Sequence, residues 1–201
     1  MKFTKMHGAG NDFIIINNMA AKIAEEDIPE LAKRLCARRT GIGADGIMLT
    51  TSPLSSGDFR LLFYNSDGSI GEMCGNGARC IARYGYENKL AGEIARIETT
   101  AGLVIGERIS ETMYRVRLND PSVIDLHREV KIDGVSYDCA YVELGNPGIP
   151  HAIVKWPEVD KNELREIGRK LRYAKEFPKG ANVNFVWLKS KDCIKAITFE
   201  R

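Results

Sequence analysis

The chain of 201 residues lacks a long hydrophobic run, an excess of charge of one sign and a paired set of cysteines. Its longest purely apolar stretches, such as 13–16, fall far short of the roughly 18 residues that a transmembrane helix needs. Its 29 Lys and Arg against 27 Asp and Glu give a net charge of +2, with no basic stripe for nucleic acid or an anionic membrane surface. These absences argue against a membrane protein and a nucleic-acid-binding protein.

The cysteines are odd in number and scattered, which argues against both disulfides and zinc. A disulfide framework uses pairs and a zinc site uses closely spaced ligands such as C-x-x-C, and neither pattern occurs here. The first ten residues also lack the apolar stretch of a secretory signal. We therefore expect a cytoplasmic protein with free thiols and no metal. The cysteines are Cys36, Cys74, Cys80, Cys139 and Cys193.

With 44% hydrophobic and 28% charged residues, the composition is that of a globular protein large enough for one or two cores. Helical spacing of apolar residues predicts helices over 27–39, 75–88 and 160–175, with Asp27 and Asp160 as caps. Many short strands with few helices indicate an α+β fold of mainly antiparallel sheet. Asn119-Asp120-Pro121 predicts a boundary between units 1–118 and 119–201. The predicted strands are 13–16, 46–50, 59–64, 94–98, 112–118, 141–144, 152–156, 184–188 and 194–199.

The segment Gly41-Ile42-Gly43-Ala44-Asp45-Gly46 matches the G-x-G-x-x-G pattern of dinucleotide-binding folds. That pattern binds a pyrophosphate where a strand precedes and a helix follows, because the phosphate meets the helix N-terminus. Here a predicted helix precedes the segment and the strand-like run 46–50 follows it. The order of elements therefore argues against a nucleotide site.

The segment Cys74-Gly75-Asn76-Gly77 combines a thiol with the start of a predicted helix. The unpaired N–H groups and the positive end of the helix dipole favour a thiolate there and also bind an anion such as a carboxylate. The simpler interpretation is a buried structural cysteine with glycines for packing. A cysteine hydrolase that pairs Cys74 with His151 is a minor alternative, because a carboxylate site beside the thiol fits an amino-acid substrate better.

Asparagines recur along the chain, several of them beside Gly, Asp or Pro. A single asparagine of this kind is most often a turn residue. Several that converge on one pocket would bind the ammonium and carboxylate groups of a zwitterion, since an amide both donates and accepts hydrogen bonds. The asparagines in question are Asn11, Asn65, Asn76, Asn146, Asn182 and Asn184.

Six segments, in order along the chain, resemble those of diaminopimelate epimerase, a cofactor-independent family of lysine and peptidoglycan precursor synthesis. The resemblance covers essentially the whole chain, and the segment around Cys74 is specific to this epimerase within a wider isomerase superfamily. It implies two pseudo-symmetric domains of mainly antiparallel sheet wrapped around a central helix. The segments are His7-Gly8-Ala9-Gly10-Asn11-Asp12-Phe13, Gly41-Ile42-Gly43-Ala44-Asp45-Gly46, Tyr64-Asn65-Ser66-Asp67-Gly68-Ser69, Glu72-Met73-Cys74-Gly75-Asn76-Gly77-Ala78-Arg79-Cys80, Asn182-Val183-Asn184-Phe185 and Phe199-Glu200-Arg201.

The resemblance implies inversion at the α-carbon of L,L-diaminopimelate to give the meso form, with two cysteines acting on opposite faces of the substrate. Cys74 matches the first of these cysteines, and Gly75 and Asn76 match part of the carboxylate cradle. His151 and Glu200 match residues that tune the thiols. The residues that would contact the substrate's amino and carboxylate groups are Asn11, Asn65, Asn182, Glu200 and Arg201.

Two positions depart from the family pattern. Many members have a Gly-Asn-Pro-His run that supplies another substrate asparagine, whereas here Gly145-Asn146-Pro147 is separated from His151 by Gly148-Ile149-Pro150. Either Asn146 takes that role after an insertion, or Ile149 occupies the position in a gapless match. Some members have a glutamine where this chain has Gly46, so that contact would be lost.

Family members also continue past Glu-Arg through an Ala-Cys-Gly-Thr-Gly segment, which supplies the second cysteine and the central helix of the second domain. This sequence contains no such segment, and Cys193 lies in a strand-like run without the glycines or helix start that an anion site needs. We therefore expect an incomplete second domain with exposed apolar sheet, which favours association with another chain, for example as a homodimer. We also expect little or no epimerase activity of the 201-residue form.

Two alternative functions stay open at this point. One is a truncated form that binds diaminopimelate without turning it over. The other is a related proline-racemase-type or phenazine-pathway isomerase. Deuterium exchange at the substrate's α-carbon separates turnover from binding alone, and a panel of proline derivatives tests the second alternative.

Overall fold

The computed structural model describes residues 1–71, 74–145, 148–157 and 161–200. The chain divides into two compact units, Met1–Asn119 and Asp120–Arg201, and each has its own sheet, helices and hydrophobic core. Among the described strands most neighbouring pairs are antiparallel and three are parallel. The predicted α+β class with mainly antiparallel sheet is confirmed.

The first unit is built on a seven-stranded sheet in which each strand lies beside its neighbour in sequence. Its strands are β1 (Thr4–Gly8), β2 (Asn11–Asn17), β3 (Gly46–Thr51), β4 (Phe59–Asn65), β5 (Ile94–Thr99), β6 (Gly102–Arg108) and β7 (Tyr114–Arg117). Helices connect β2 to β3 and β4 to β5, and these two pairs are parallel because a crossover connection returns the chain in the same direction.

Helices pack on both faces of this first sheet. They are α1 (Asn18–Ala21), a 3₁₀-helix (Glu25–Asp27), α2 (Ile28–Cys36) and α3 (Gly75–Glu87). The apolar run of β2 alternates between two cores, since Phe13 and Ile15 pack with α3 while Ile14 and Ile16 pack with α2. All four side chains are almost fully buried, which explains why the run is continuous in sequence.

Helix α3 lies close to the first sheet because small residues form its contact face. A Cβ atom added to Gly85 would lie 2.7 Å from the ring of Phe59, so only a glycine permits this approach. On the sheet side, a Cβ added to Gly106 would lie 2.5 Å from the Cβ of Ala82. Contacts with β1, β2, β5, β6 and β7 make α3 the central helix of the first unit.

Helix α2 differs from its prediction at both ends. It ends at Cys36, three residues before the predicted end at Arg39. Asp27 occupies the N-cap position, but its side chain makes no capping hydrogen bond. The preceding 3₁₀-helix places Asp27 at φ −85° and ψ −17°, whereas a capping side chain needs an extended backbone. Asp160, the predicted cap of the third helix, lies outside the described residues.

The second unit has a five-stranded sheet in the order β12-β11-β10-β9-β8. Its strands are β8 (Pro121–Ile132), β9 (Val135–Leu144), β10 (Ile149–Lys155), β11 (Asn182–Ser190) and β12 (Cys193–Phe199), and its helix is α4 (Lys161–Arg172). Leu164 and Leu171 of α4 pack with Val183 and Phe185 of β11 in a separate core. Of the helices in the described ranges, none has the length and apolar character that crossing a membrane requires.

The face of this second sheet opposite α4 exposes apolar side chains. Val183 and Phe185 point towards α4, so alternation places Leu188 on the other face. Its cross-strand neighbour is Ile194, and the two residues expose 75% and 64% of their surface. The second unit is therefore packed on one face and open on the other at these positions.

The connection between β3 and β4 is held by the carboxylate of Glu98 at the end of β5. It accepts the backbone N–H groups of Leu54, Ser55 and Gly57 at 2.6, 2.8 and 2.9 Å. These hydrogen bonds lower the pKa of Glu98 from its ordinary value near 4.5 to about 2. The ionised form is therefore favoured in the folded state.

Acid titration tests this connection through the Glu98→Gln variant. Because the folded-state pKa lies below the unfolded one, the contribution is complete above pH 4.5 and is lost as the pH falls towards 2. We expect the stability difference between parent and variant to shrink over that window in urea unfolding. Glu30→Gln, at an exposed carboxylate on α2, is the control and should change the unfolding free energy only slightly. A parent-variant difference that is the same at pH 7 and pH 2.5 would contradict this role.

Candidate functional site

Cys74 stands at the N-cap position of α3, with an extended backbone at φ −113° and ψ 119°. Its side chain is partly exposed and makes no capping hydrogen bond. The first turn of any α-helix leaves its N–H groups without partners inside the helix, and this first turn carries no acidic residue. The thiol therefore lies beside backbone donors that have no partner within the helix, at the positive end of a 13-residue helix.

Glycine keeps the first turn of α3 accessible and close to the sheet. A Cβ added to Gly8 at the end of β1 would lie 2.8 Å from the backbone oxygen of Asn76. A Cβ added to Gly77 would lie 2.2 Å from Cε of Met48. The side-chain oxygen of Asn76 accepts a hydrogen bond from Arg79 at 2.5 Å.

Asn11 and Cys74 are brought together although they are far apart in sequence. The Cys74 thiol donates a hydrogen bond to Oδ1 of Asn11, with 3.2 Å between the two atoms. Asn11 begins β2, and its Nδ2 donates to Oδ2 of Asp45 at 2.6 Å. Two residues that the resemblance assigns to the site are thus in direct contact.

Asn65 lies at the same edge of the first sheet. Gly46 pairs with Phe13 of β2 on one side and with Asn65 of β4 on the other. The side-chain amide of Asn65 donates to the Ser69 hydroxyl at 3.0 Å. The sheet register therefore places Asn65 level with Phe13, with β3 between their two strands.

A network of ion pairs that the sequence did not predict lies behind Asn11. One nitrogen of Arg38, Nη2, is 2.8 Å from Asp12 and 2.6 Å from Asp45, and Lys5 is 3.2 Å from Asp12. The hydrogen bond from Arg38 holds the pKa of Asp12 well below its usual range, and the hydrogen bond to Asp12 raises the pKa of Arg38. The one sequence feature that could have indicated this network is Asp45, an acidic residue inside the glycine-rich segment 41–46 and directly before a buried strand.

In the second unit, His151 of β10 pairs with Asn182 of β11 in parallel register. Asn184 brings its side-chain nitrogen to 3.4 Å from Nδ1 of His151, and its oxygen accepts the Thr198 hydroxyl at 2.9 Å. Burial lowers the pKa of His151, opposed by the negative charge of Glu200 at the end of β12. A neutral imidazole is therefore favoured at this position.

The remaining predicted residues have different surroundings. Oδ1 of Asn182 accepts a hydrogen bond from Arg172 of α4 at 2.8 Å, and Glu200 is exposed. Asn146 and Arg201 lie outside the described residues. In the first unit Cys74 contacts Asn11, Gly75 and Asn76 follow Cys74 in α3, and Asn65 lies at the same edge of the sheet. His151, Asn182 and Glu200 belong to the second unit.

The other four cysteines lack the surroundings of Cys74. Cys36, Cys80 and Cys139 are buried, and desolvation raises the pKa of each thiol to about 11. Cys193 is exposed at the start of β12. Among the described residues, no three His, Cys, Asp or Glu side chains come together in a way that could hold a metal ion.

The glycine at position 46 has a steric explanation. Gly46 begins β3, and a Cβ atom there would lie 2.6 Å from the ring of Phe63 and 2.7 Å from the backbone oxygen of Tyr64. The second neighbour is backbone and cannot turn away. A glutamine at this position would therefore force the sheet itself to shift.

Sequence comparison matches a model of the family described as diaminopimelate epimerase to residues 3–122. The chain is 38% identical to a diaminopimelate epimerase of Aquifex aeolicus, over all of this chain and 74% of that protein. It is 37% identical to one of Archaeoglobus fulgidus, over 99% of this chain and 73% of that protein.

Two solved structures resemble the fold. A probable proline racemase from Agrobacterium radiobacter, with bound carbonate, has a TM-score of 0.68 at 16% identity and covers 98% of this chain and 69% of its own. A putative phenazine biosynthesis protein from Clostridium difficile has a TM-score of 0.59 at 10% identity, over 94% of this chain and 67% of its own. At such identities these two likenesses report on the fold alone.

Proposed function

Because the chain belongs to the diaminopimelate epimerase family of isomerases, we propose that Cys74 removes and returns the α-proton of diaminopimelate without a cofactor. This is one half of the two-cysteine reaction that interconverts the L,L and meso forms. The observation that carries the proposal is the position of Cys74, a partly exposed thiol at the amino end of α3 and 3.2 Å from Asn11. At this position the thiol lies next to the backbone N–H groups of the first turn of α3, which would bind a carboxylate.

Proton transfer at an α-carbon needs both a base and a place for the developing charge. The Cα–H bond breaks, the proton passes to the sulfur of Cys74, and the electron pair delocalises into the substrate carboxylate. The N–H groups of Gly75 and Asn76, which have no partner within α3, stabilise that carboxylate as its charge grows. A second acid on the opposite face, a second thiol in the two-cysteine mechanism, returns a proton and so inverts the centre.

The other site residues complete the proposal. In the first unit Asn11 and Asn65 contact the substrate's polar groups from the edge of the sheet. In the second unit we propose that Asn182, Glu200 and Arg201 contact its amino and carboxylate groups, with Asn146 as a further contact. His151, held neutral by burial, tunes the thiols together with Glu200.

Hydrogen exchange in heavy water tests the proposal in the 201-residue chain. Of its five cysteines, Cys74 alone has the required surroundings within the described residues. One thiol removes a proton and returns a deuteron on the same face, so we expect label at the α-carbon with retained configuration and little inversion. Mass spectrometry measures the label, and chiral chromatography measures the ratio of L,L to meso forms.

Two comparisons complete this experiment. Cys193→Ser, which alters an exposed thiol outside the proposed site, should exchange at the parent rate. Proline and hydroxyproline should stay unlabelled, which separates this function from a proline-racemase-type isomerase. Inversion as fast as labelling would contradict the need for a second thiol, and no label from a folded chain would overturn the role of Cys74.

A further inference from the structure

The side chain of Asn11 faces two different partners. Its Nδ2 meets Oδ2 of Asp45 at 2.6 Å, and its Oδ1 meets the sulfur of Cys74 at 3.2 Å. An ionised carboxylate only accepts hydrogen bonds, so the amide can face Asp45 only through its NH₂ group. The orientation of Asn11, and with it the atom presented to Cys74, is therefore decided at Asp45.

Asp45 is itself held on three sides. Its Oδ1 accepts Nη2 of Arg38 at 2.6 Å, and its Oδ2 accepts the backbone N–H of Asp12 at 3.1 Å. Its own backbone N–H donates to the side chain of Asp12 at 3.1 Å. These contacts leave the carboxylate little freedom to turn, so it can impose one orientation on Asn11.

We infer that Asp45 is a positioning residue, which locks the Asn11 amide so that its oxygen accepts the S–H of Cys74. The amide oxygen accepts a hydrogen bond from a thiol but cannot donate one to a thiolate. The NH₂ group of the same amide would donate to a thiolate and so stabilise it. Asp45 thereby opposes the helix end, which favours the thiolate. The balance between these two influences sets how much of Cys74 is the thiolate that accepts the α-proton of the substrate. The last step rests on the proposed function.

Alkylation of Cys74 by iodoacetamide measures the thiolate directly and needs no substrate. The background is Cys193→Ser, since Cys193 is exposed and the other three cysteines are buried. An asparagine at position 45 presents an NH₂ group, which allows Asn11 to turn its own NH₂ towards the sulfur. In Asp45→Asn we expect Cys74 alkylation at pH 7 to rise about three- to tenfold, with a midpoint about 0.5 to 1 pH unit lower. Asp45→Glu, which keeps an accept-only carboxylate, should restore most of the parent rate.

Two comparisons separate positioning from loss of charge. Asp12→Asn removes a carboxylate of the same network whose side chain does not bond Asn11, so it should leave Cys74 alkylation within about twofold of the parent. In an Asn11→Leu background, Asp45→Asn should have no further effect, because the amide that transmits it is gone. Equal effects of Asp12→Asn and Asp45→Asn, or a full effect in the Asn11→Leu background, would overturn the inference.

The inference and the proposed function fail in different ways. If Asp45→Asn leaves the alkylation profile unchanged while the parent exchanges the α-hydrogen, only the inference about Asp45 is overturned. If the alkylation rates follow the expected pattern but the parent shows no α-carbon exchange, the positioning role of Asp45 stands and the proposed function is overturned. Should Asp45→Asn not fold, Asn11→Leu removes the same acceptor. In Asn11→Leu the rate of Cys74 alkylation at pH 7 must then rise at least about twofold, and an unchanged rate overturns the positioning role of Asp45.

Discussion

Replacing Cys74 by alanine lowers α-carbon hydrogen exchange of diaminopimelate by about 10²- to 10⁴-fold, the range expected when a proton-transfer group is removed. The helix end and Asn11 persist in this variant, so the substrate still binds while the group that moves the proton is gone. Rates of deuterium incorporation at saturating substrate measure the loss. Cys74→Ser should be almost as slow, because a hydroxyl is a far weaker acid than a thiol and its alkoxide is scarce at neutral pH.

Controls for this prediction come from the same chain. Circular dichroism and thermal unfolding should match the parent, because a half-buried cysteine gives way to a smaller residue without burying a polar group. Cys193→Ala changes an exposed thiol and should keep full exchange. Exchange in Cys74→Ala above a tenth of the parent rate would show that another group moves the proton.

The Phe13→Ala variant should lose about 3–5 kcal/mol of unfolding free energy. Phe13 is 1% exposed, packs edge-to-face on Phe63 with ring centroids 5.8 Å apart, and lies under the first turn of α3. Removing its ring leaves a cavity between the sheet and the helix that carries Cys74. Urea unfolding followed by fluorescence or circular dichroism measures the change.

Phe3→Ala provides the comparison for this substitution. Phe3 exposes 42% of its surface, so its removal should change the unfolding free energy by no more than about 0.5 kcal/mol. A loss below about 1.5 kcal/mol in Phe13→Ala would mean that the core closes over the missing ring. The wall beneath the candidate site would then be softer than its packing indicates.

Local sequence patterns were sufficient for most of the fold. The nine predicted strands and three predicted helices all occur, because each has dense apolar or β-branched residues bounded by Gly, Asn, Asp or Pro. Strands β1 and β8 were missed because their residues are mostly exposed or half-buried and give little hydrophobic signal. Strand β6 was missed because Gly102 and Gly106 interrupt it, and Gly106 is there to admit α3.

The candidate site divides in the same way. Cys74 at a helix start could be predicted because the pattern Cys-Gly-Asn-Gly is local. The contact between Cys74 and Asn11 depends on packing of α3 against the start of β2, and the partners are 63 residues apart. Asp45 was missed because the segment 41–46 was considered as a nucleotide motif and as a family segment, and neither assigned a role to its acidic residue, which contacts the Asn11 amide. The roles of the site residues in both units stay predictions.

The ring of Phe63 that blocks a side chain at position 46 also constrains evolutionary history. A Cβ added to Gly71 would lie 2.2 Å from this ring, and its three nearest neighbours are all ring atoms of Phe63. A larger residue at 71 therefore fits without a clash when the ring at 63 has first moved or been replaced by a smaller side chain, whereas the reverse order passes through a clashing intermediate. Position 46 stays closed in either order, because the carbonyl of Tyr64 remains. Which mutations are accessible to this lineage thus depends on the order in which they arise.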